Sequence, residues 1–146
     1  MKLLITSDVH ADLESLKAVI HQHLKITAHL NAGDMCLERR DYERYHIITV
    51  KGNNDFRVSN PYERVLEFGD LKVLLVHGHT ERVKSGLDRL IAKAKLNQVG
   101  LCIFGHTHER FMELIDGIIF LNPGSLGDYH KSYAIYEDGQ ITFHQR

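Results

Sequence analysis

The chain has little of what marks secreted, membrane-spanning or polyanion-binding proteins. Only two cysteines occur in 146 residues, too few for a disulfide framework and in keeping with a reducing compartment. Cys102 lies inside the apolar run LCIF and reads as buried and inert, while Cys36, two residues after Asp34, reads as a free thiol; a disulfide between them is the alternative. No apolar run approaches the roughly 20 residues of a membrane span. Only Leu3, Leu4 and Ile5 separate Lys2 from polar Thr6, too short a stretch for a secretory signal. An excess of one charge is also missing: 18 Lys and Arg face 19 Asp and Glu, a net charge of −1. That excludes the strong basic field of a protein tracking long nucleic acid. Repeats, low-complexity segments and linkers are absent. The expectation is one cytoplasmic domain without membrane attachment or strong nucleic-acid binding.

What is abundant is histidine, eleven in all, over a composition that is 43% hydrophobic. Four of these histidines sit directly after short apolar runs. The runs read LLITSDVH, TAHLNAGD, IITVKGNND, VLLVHGH and LCIFGHTH. Short Val-, Ile- and Leu-rich runs bounded by Gly or polar residues predict buried strands. In α/β sheets the ends of such strands form the ligand crevice. Five strand ends thus offer Asp8, His10, Asp34, Asn53, His77, His106 and His108 to one place. Carboxylate, amide and imidazole together suit a pair of divalent transition metals, because an Asp can bridge two ions. Taken singly, each motif has an ordinary explanation: Asp-x-His is common, and Gly-Asp or Asn-Asn-Asp is turn chemistry. The joint pattern carries the inference.

Between these runs the periodicity predicts a helix over 11–25 with Leu13, Leu16, Ile20 and Leu24 inward. A second helix is expected over 84–97 with Leu87, Leu90, Ile91 and Ala94 inward. Strands are expected at 2–6, 26–31, 46–50 and 101–104. Residues 38–45 read as a short helix or a solvated loop, and 63–68 with 71–76 form a hairpin around Gly69-Asp70. Asp116-Gly117 and Asp138-Gly139 signal type I′ hairpins. His21, His23 and His144 read as surface residues. The pattern alone gives one α/β domain with a mixed sheet.

The order DxH, GD, GNxD, HGH, GHTH resembles the calcineurin-like metallophosphoesterases, and most of all their small prokaryotic phosphodiesterase branch, whose Asn-Pro-Gly-Ser segment is matched by residues 122–125. The likeness runs the length of the chain, 1–146. It implies two mixed β-sheets packed as a sandwich flanked by helices, a four-layer αββα domain with no cap and an open site. It also implies two divalent ions, with Mn expected and Fe, Zn, Ni or Co accepted by the same donors. Asp8, His10 and His108 would hold the first ion and Asn53, His77 and His106 the second, with Asp34 as bridge. The implied activity is hydrolysis of small phosphodiesters by a metal-activated water. The alternative is a scaffold or binding protein that kept the fold without the catalysis. A small phosphoester is the expected partner, and a homodimer is common among enzymes of this size.

Three departures from the family stand out. Asn54 replaces the usual general-acid His, which is often Cys in the small branch. Leu37 replaces the acidic residue that orients that His, and Ala11 replaces the Gly that often follows DxH. Asn can donate a hydrogen bond but cannot yield a proton near neutral pH. Asp34, Asn54 and His79 are the residues expected to act in catalysis; His79, beside His77, reads either as the stand-in proton donor or as a solvent-facing residue. Asp55 reads as a loop-bonding residue.

Overall fold

The computed structural model describes residues 1–146. Ten strands and three α-helices make up the chain, the helices falling in its first two thirds. In order they are β1 (Lys2–Thr6), α1 (Leu13–Gln22), β2 (Ala28–Asn31), α2 (Arg39–Tyr42), β3 (Ile48–Thr49), β4 (Glu63–Phe68), β5 (Leu71–Val76), α3 (Asp88–Leu96), β6 (Leu101–Ile103), β7 (Arg110–Ile115), β8 (Ile118–Pro123), β9 (Ser132–Glu137) and β10 (Gln140–Gln145). Two five-stranded sheets result, ordered β10-β9-β1-β2-β3 and β4-β5-β6-β8-β7. Both are mixed: β1, β2 and β3 run parallel, as do β5, β6 and β8, while hairpins supply the antiparallel outer strands. The sandwich implied by the family resemblance is therefore present, where the pattern alone gave one sheet.

Side-chain alternation explains the layering. Successive residues of a strand face opposite sides of a sheet. Leu3, Ile5 and Leu30 of the first sheet meet Val73, Leu75, Leu101, Ile103 and Leu121 of the second in one buried cluster. The opposite face of the first sheet packs Leu4 and Ile135 against Leu16 and Val19 of α1. The outer face of the second packs Leu74, Cys102 and Phe120 against Leu90 and Ala94 of α3. Strands apolar on both faces read as unbroken hydrophobic runs, which is why the central ones stood out.

Several boundaries differ from expectation. Helix α1 starts at Leu13, because Asp12 caps it by accepting from the Ser15 amide at 3.0 Å and Ala11 is left-handed at φ 66°. It ends at Gln22, so Leu24 lies outside it, 74% exposed, and Val19 takes its place in the core. The second helix is broken: residues 83–85 form a 3₁₀ turn, Gly86 follows at φ 132°, and α3 begins only at Asp88. Strand β3 is two residues long, since His46 is left-handed at φ 56°. The three hairpins fall where expected, and both Asp-Gly pairs adopt the positive φ values of type I′ turns. His21 is exposed as expected, but His23 and His144 are half-buried: His23 hydrogen-bonds the Tyr133 hydroxyl at 2.8 Å and His144 stacks on the Tyr133 ring. Both cysteines are free thiols, Cys102 buried and Cys36 half-buried. No helix is long and apolar enough to cross a membrane.

Candidate metal centre

The loops after β1, β2, β3, β5 and β6 converge at one end of the sandwich. Asp8 lies at their centre, fully buried. Its Oδ1 is 3.5 Å from His10 Nε2, 3.2 Å from His108 Nε2 and 3.9 Å from His77 Nε2. His10 Nε2 and His108 Nε2 are themselves 3.2 Å apart. Asp34 Oδ2 lies 3.3 Å from His77 Nε2 and 4.0 Å from His10 Nε2, between the two halves of the site. Asn53 Oδ1 is 2.9 Å from His77 Nε2. The His106 ring is 5.0 Å from the His77 ring, and its backbone N–H donates to Asp8 Oδ2 at 3.1 Å. All seven expected ligand residues therefore surround one space. Two donor groups suited to an ion can be drawn there, Asp8–His10–His108 and Asp8–Asp34–His77. Asp8 belongs to both, a sharing that sequence reasoning gave to Asp34 alone.

The fit to metal rests on two observations. Asp8 Oδ1 is buried and accepts no hydrogen bond, whereas Oδ2 accepts from Ser7 Oγ at 2.6 Å and from the His106 amide. A buried carboxylate oxygen without a partner is costly unless a cation meets it. Second, the His77 Nδ1–H donates to the Ala32 carbonyl at 2.7 Å, which leaves the Nε2 lone pair facing the centre. This is the usual way a ligand imidazole is fixed in its tautomer. The donor set suits divalent ions.

Electrostatics agree with a site built for positive charge. Burial would raise the Asp8 pKa, but the close approach of the His10 and His108 imidazoles outweighs it and holds the carboxyl well below its usual range. Burial likewise opposes ionisation of Asp34, yet His77 and the two Asn54 contacts bring it to about 2. His106 is lowered to about 4 by burial and by His77. His108 is raised, chiefly by Asp8.

The loops are strained and tightly buttressed. Asp8, His10, Ala11, Asp34, Cys36, His106 and His108 all have positive φ, a region that costs most L-residues about 1 kcal/mol or more each and clusters at functional sites. In GHTH the two left-handed histidines turn their rings apart, His106 toward His77 and His108 toward His10. At Gly105 a methyl group would land on Ser7 Oγ and Asp8 Oδ2, so the backbone can approach only because no Cβ is there.

The remaining candidates take distinct positions. Asn54 donates twice to Asp34, from its backbone N–H to Oδ1 at 2.8 Å and from Nδ2 to Oδ2 at 2.9 Å, so it holds the carboxylate. Asp55 accepts from the amides of Asp34, Gly52 and Cys36, tying two loops together. His79 is half-buried beside His77 and Tyr62, with Nδ1 unpaired. Leu37 packs into the core beside α1. Cys36 Sγ lies 3.9 Å from His10 Nδ1, and burial raises its pKa to about 11. Sequence reasoning gave no role to Ser7, Asn122 or Ser125. Asn122 Nδ2 donates to the Gly105 carbonyl and to Thr107 Oγ1, and Ser125 Oγ donates to the Asp8 carbonyl at 2.8 Å. The Asn-Pro-Gly-Ser segment at the end of β8 thus supports two candidate ligand loops at once. Its presence was the only sequence signal for these bonds.

Comparison with known proteins agrees. The family model of the calcineurin-like phosphoesterase superfamily domain matches residues 1–138. Probable metallophosphoesterase YsnB of Bacillus subtilis (strain 168) is 32% identical over 127 residues, 86% of this chain and 75% of that protein. Phosphodiesterase YfcE of Escherichia coli (strain K12) is 28% identical over 97% of this chain and 90% of its own. Among solved structures, a predicted phosphoesterase from Streptococcus pneumoniae TIGR4 superposes with a TM-score of 0.85 at 26% identity, covering 99% of this chain and 97% of that one. Vacuolar Protein Sorting 29 from Cryptosporidium parvum shares the fold with a TM-score of 0.79 at 18% identity, over 98% and 95% of the two chains. With its fold, its ligand loops and a family match over nearly all its length, the chain belongs to the calcineurin-like phosphoesterase superfamily.

Proposed function

We propose that this protein hydrolyses small phosphodiesters at a centre of two divalent cations, Mn²⁺ being the metal expected. The observation that carries this reading is Asp8 Oδ1, buried and unpaired while three imidazole nitrogens face it. Asp8, His10 and His108 would hold one ion and Asn53, His77 and His106 the other, with Asp34 between them. Two cations so held supply Lewis acidity toward phosphoryl oxygens and a nucleophile at neutral pH. The chain's own groups do the rest. The Ser7 hydroxyl and the His106 amide fix Asp8 Oδ2, and Asn54 fixes both oxygens of Asp34. His10 and His108 are partly exposed, leaving the centre open to substrate.

Two clefts flanking the centre support a diester over a monoester. One, of about 360 Å³, begins at His108. The other, of about 280 Å³, lies against Cys36, Asn54 and Phe56. A phosphodiester has two ester arms to place and a monoester has one. Hydrolysis of bis-p-nitrophenyl phosphate against p-nitrophenyl phosphate, with Mn²⁺ supplied, tests this. The diester should be preferred, and Asp34→Ala and His108→Ala should each lose roughly 10²-fold or more in kcat/KM, the scale of losing a group that stabilises the transition state directly. A protein that binds Mn²⁺ yet turns over neither ester would instead be a scaffold on the same fold.

A further inference from the structure

The cleft that begins at His108 is lined by polar side chains alone: His108, Glu109, Arg110, His130, Ser132 and Gln145. Arg110 is the only one of these with a permanent positive charge, and its guanidinium is held in place. Nε donates to Ser132 Oγ at 2.6 Å, Nη2 donates to the His144 carbonyl at 2.8 Å, and the group lies over the Phe143 ring, 5.4 Å from its centroid. Both partners are neutral oxygens, and the guanidinium forms no direct ion pair, although Glu109 lines the same cleft. Two of the five guanidinium N–H groups are used, and three remain. A fixed guanidinium fork with free donors matches an oxyanion, carboxylate or phosphate. Because it is already ordered, binding loses little side-chain entropy.

Arg110 follows the ligand residue His108 by two positions and lines the same cleft, so an ester arm leaving the reacting phosphorus on that side runs toward it. The opposite cleft is mixed: Leu37, Phe56 and Val58 line it beside Glu38, Asp55 and Arg57, and Phe56, 81% exposed, offers a surface for an apolar or aromatic arm. We propose that Arg110 is a specificity-determining residue: it selects phosphodiesters in which one arm carries a second oxyanion a few bonds from the scissile phosphate. This rests on the hydrolase reading above and narrows its substrate class.

Two substrates differing in one arm test it: methyl p-nitrophenyl phosphate and 2-carboxyethyl p-nitrophenyl phosphate, with Mn²⁺-loaded protein. The wild type should favour the carboxyethyl ester by roughly tenfold or more in kcat/KM, the scale of a charge-assisted hydrogen bond. In Arg110→Gln that ratio should fall to about one, and in Arg110→Lys, which keeps the charge but loses the fork, it should lie between. Glu109→Gln removes the one carboxylate of the cleft and should raise the ratio, a check that holds even if the Arg110 variants fail to fold. A wild-type ratio near one, or a ratio that survives in Arg110→Gln, overturns the assignment. If neither ester is turned over, the hydrolase reading has failed. Calorimetric titration with 2-carboxyethyl methyl phosphate against dimethyl phosphate then judges Arg110 by affinity alone: tighter binding of the carboxylate compound, lost in Arg110→Gln, supports the subsite, and equal affinities refute it.

Discussion

Acid should destabilise this fold through one residue far from any catalytic step, His29 on β2. The ring is only 3% exposed, its Nε2 is 2.8 Å from Thr6 Oγ1, and its Nδ1 has no partner. Burial lowers its pKa from 6.5 to about 3. A base whose folded pKa is depressed stays neutral in the folded chain while the unfolded chain takes up the proton, so stability is present above about pH 6.5 and is lost as pH falls below it. From about pH 7.5 to about pH 5 the loss from this one group is about 2 kcal/mol, growing to about 3 kcal/mol near pH 4. Site carboxylates and histidines titrate in the same range, so the quantity to measure is a difference. Urea unfolding of metal-free wild type and His29→Leu across that pH range gives it. Leu fills much of the volume and cannot ionise. The stability gap between the two proteins should shift by about 2 kcal/mol in favour of the variant between about pH 7.5 and about pH 5. A gap that does not move with pH would mean that His29 is hydrated in the folded protein, and the reasoning fails.

Three further outcomes follow from the site. Asn54→Ala removes the side-chain bond to Asp34 Oδ2 and should weaken Mn²⁺ affinity by roughly 10–100-fold in competition with a chelator; unchanged affinity would refute the positioning role. Gly105→Ala drives a methyl group into Ser7 Oγ and Asp8 Oδ2, so it should lower the thermal midpoint and metal content together, and a variant with wild-type values for both would show that the loop can move. Because Asn54 cannot protonate a leaving alkoxide, log kcat/KM should fall steeply with leaving-group pKa across aryl and alkyl esters; a flat plot in wild type that steepens in His79→Ala would identify His79 as the proton donor, and a plot flat in both would refute the missing-acid account.

The parts legible in the sequence were those written in local pattern. The hairpin of β4 and β5 could be read to the residue, since alternating residues flank Gly69-Asp70. The candidate ligand residues were visible because each follows an apolar run. What escaped was set by single backbone conformations, such as Ala11 and Gly86 cutting short two predicted helices. The supports of the site also escaped. Ser7 bonds the neighbouring Asp8 carboxylate, Asn122 and Ser125 bond mostly to main-chain atoms of other loops, and no periodicity encodes a partner on a different strand. The pattern alone gave one sheet, and only the family resemblance implied the second, because a strand apolar on both faces does not say whether a helix or another sheet covers it.

The bonds that close the site also fix when it can exist. The His106 amide reaches back 98 positions to Asp8, and Ser125 reaches back 117 to the same residue. The β9–β10 hairpin, last in the chain, is what flanks β1, the first strand. A nascent chain therefore presents Asp8, His10, Asp34 and Asn53 well before the histidines that complete the set have been synthesised. Closing loops of this length costs entropy that only the finished sandwich repays. Metal capture in the native geometry is thus a late event, and uptake of a tightly bound ion would report completion of the whole fold rather than of any one half.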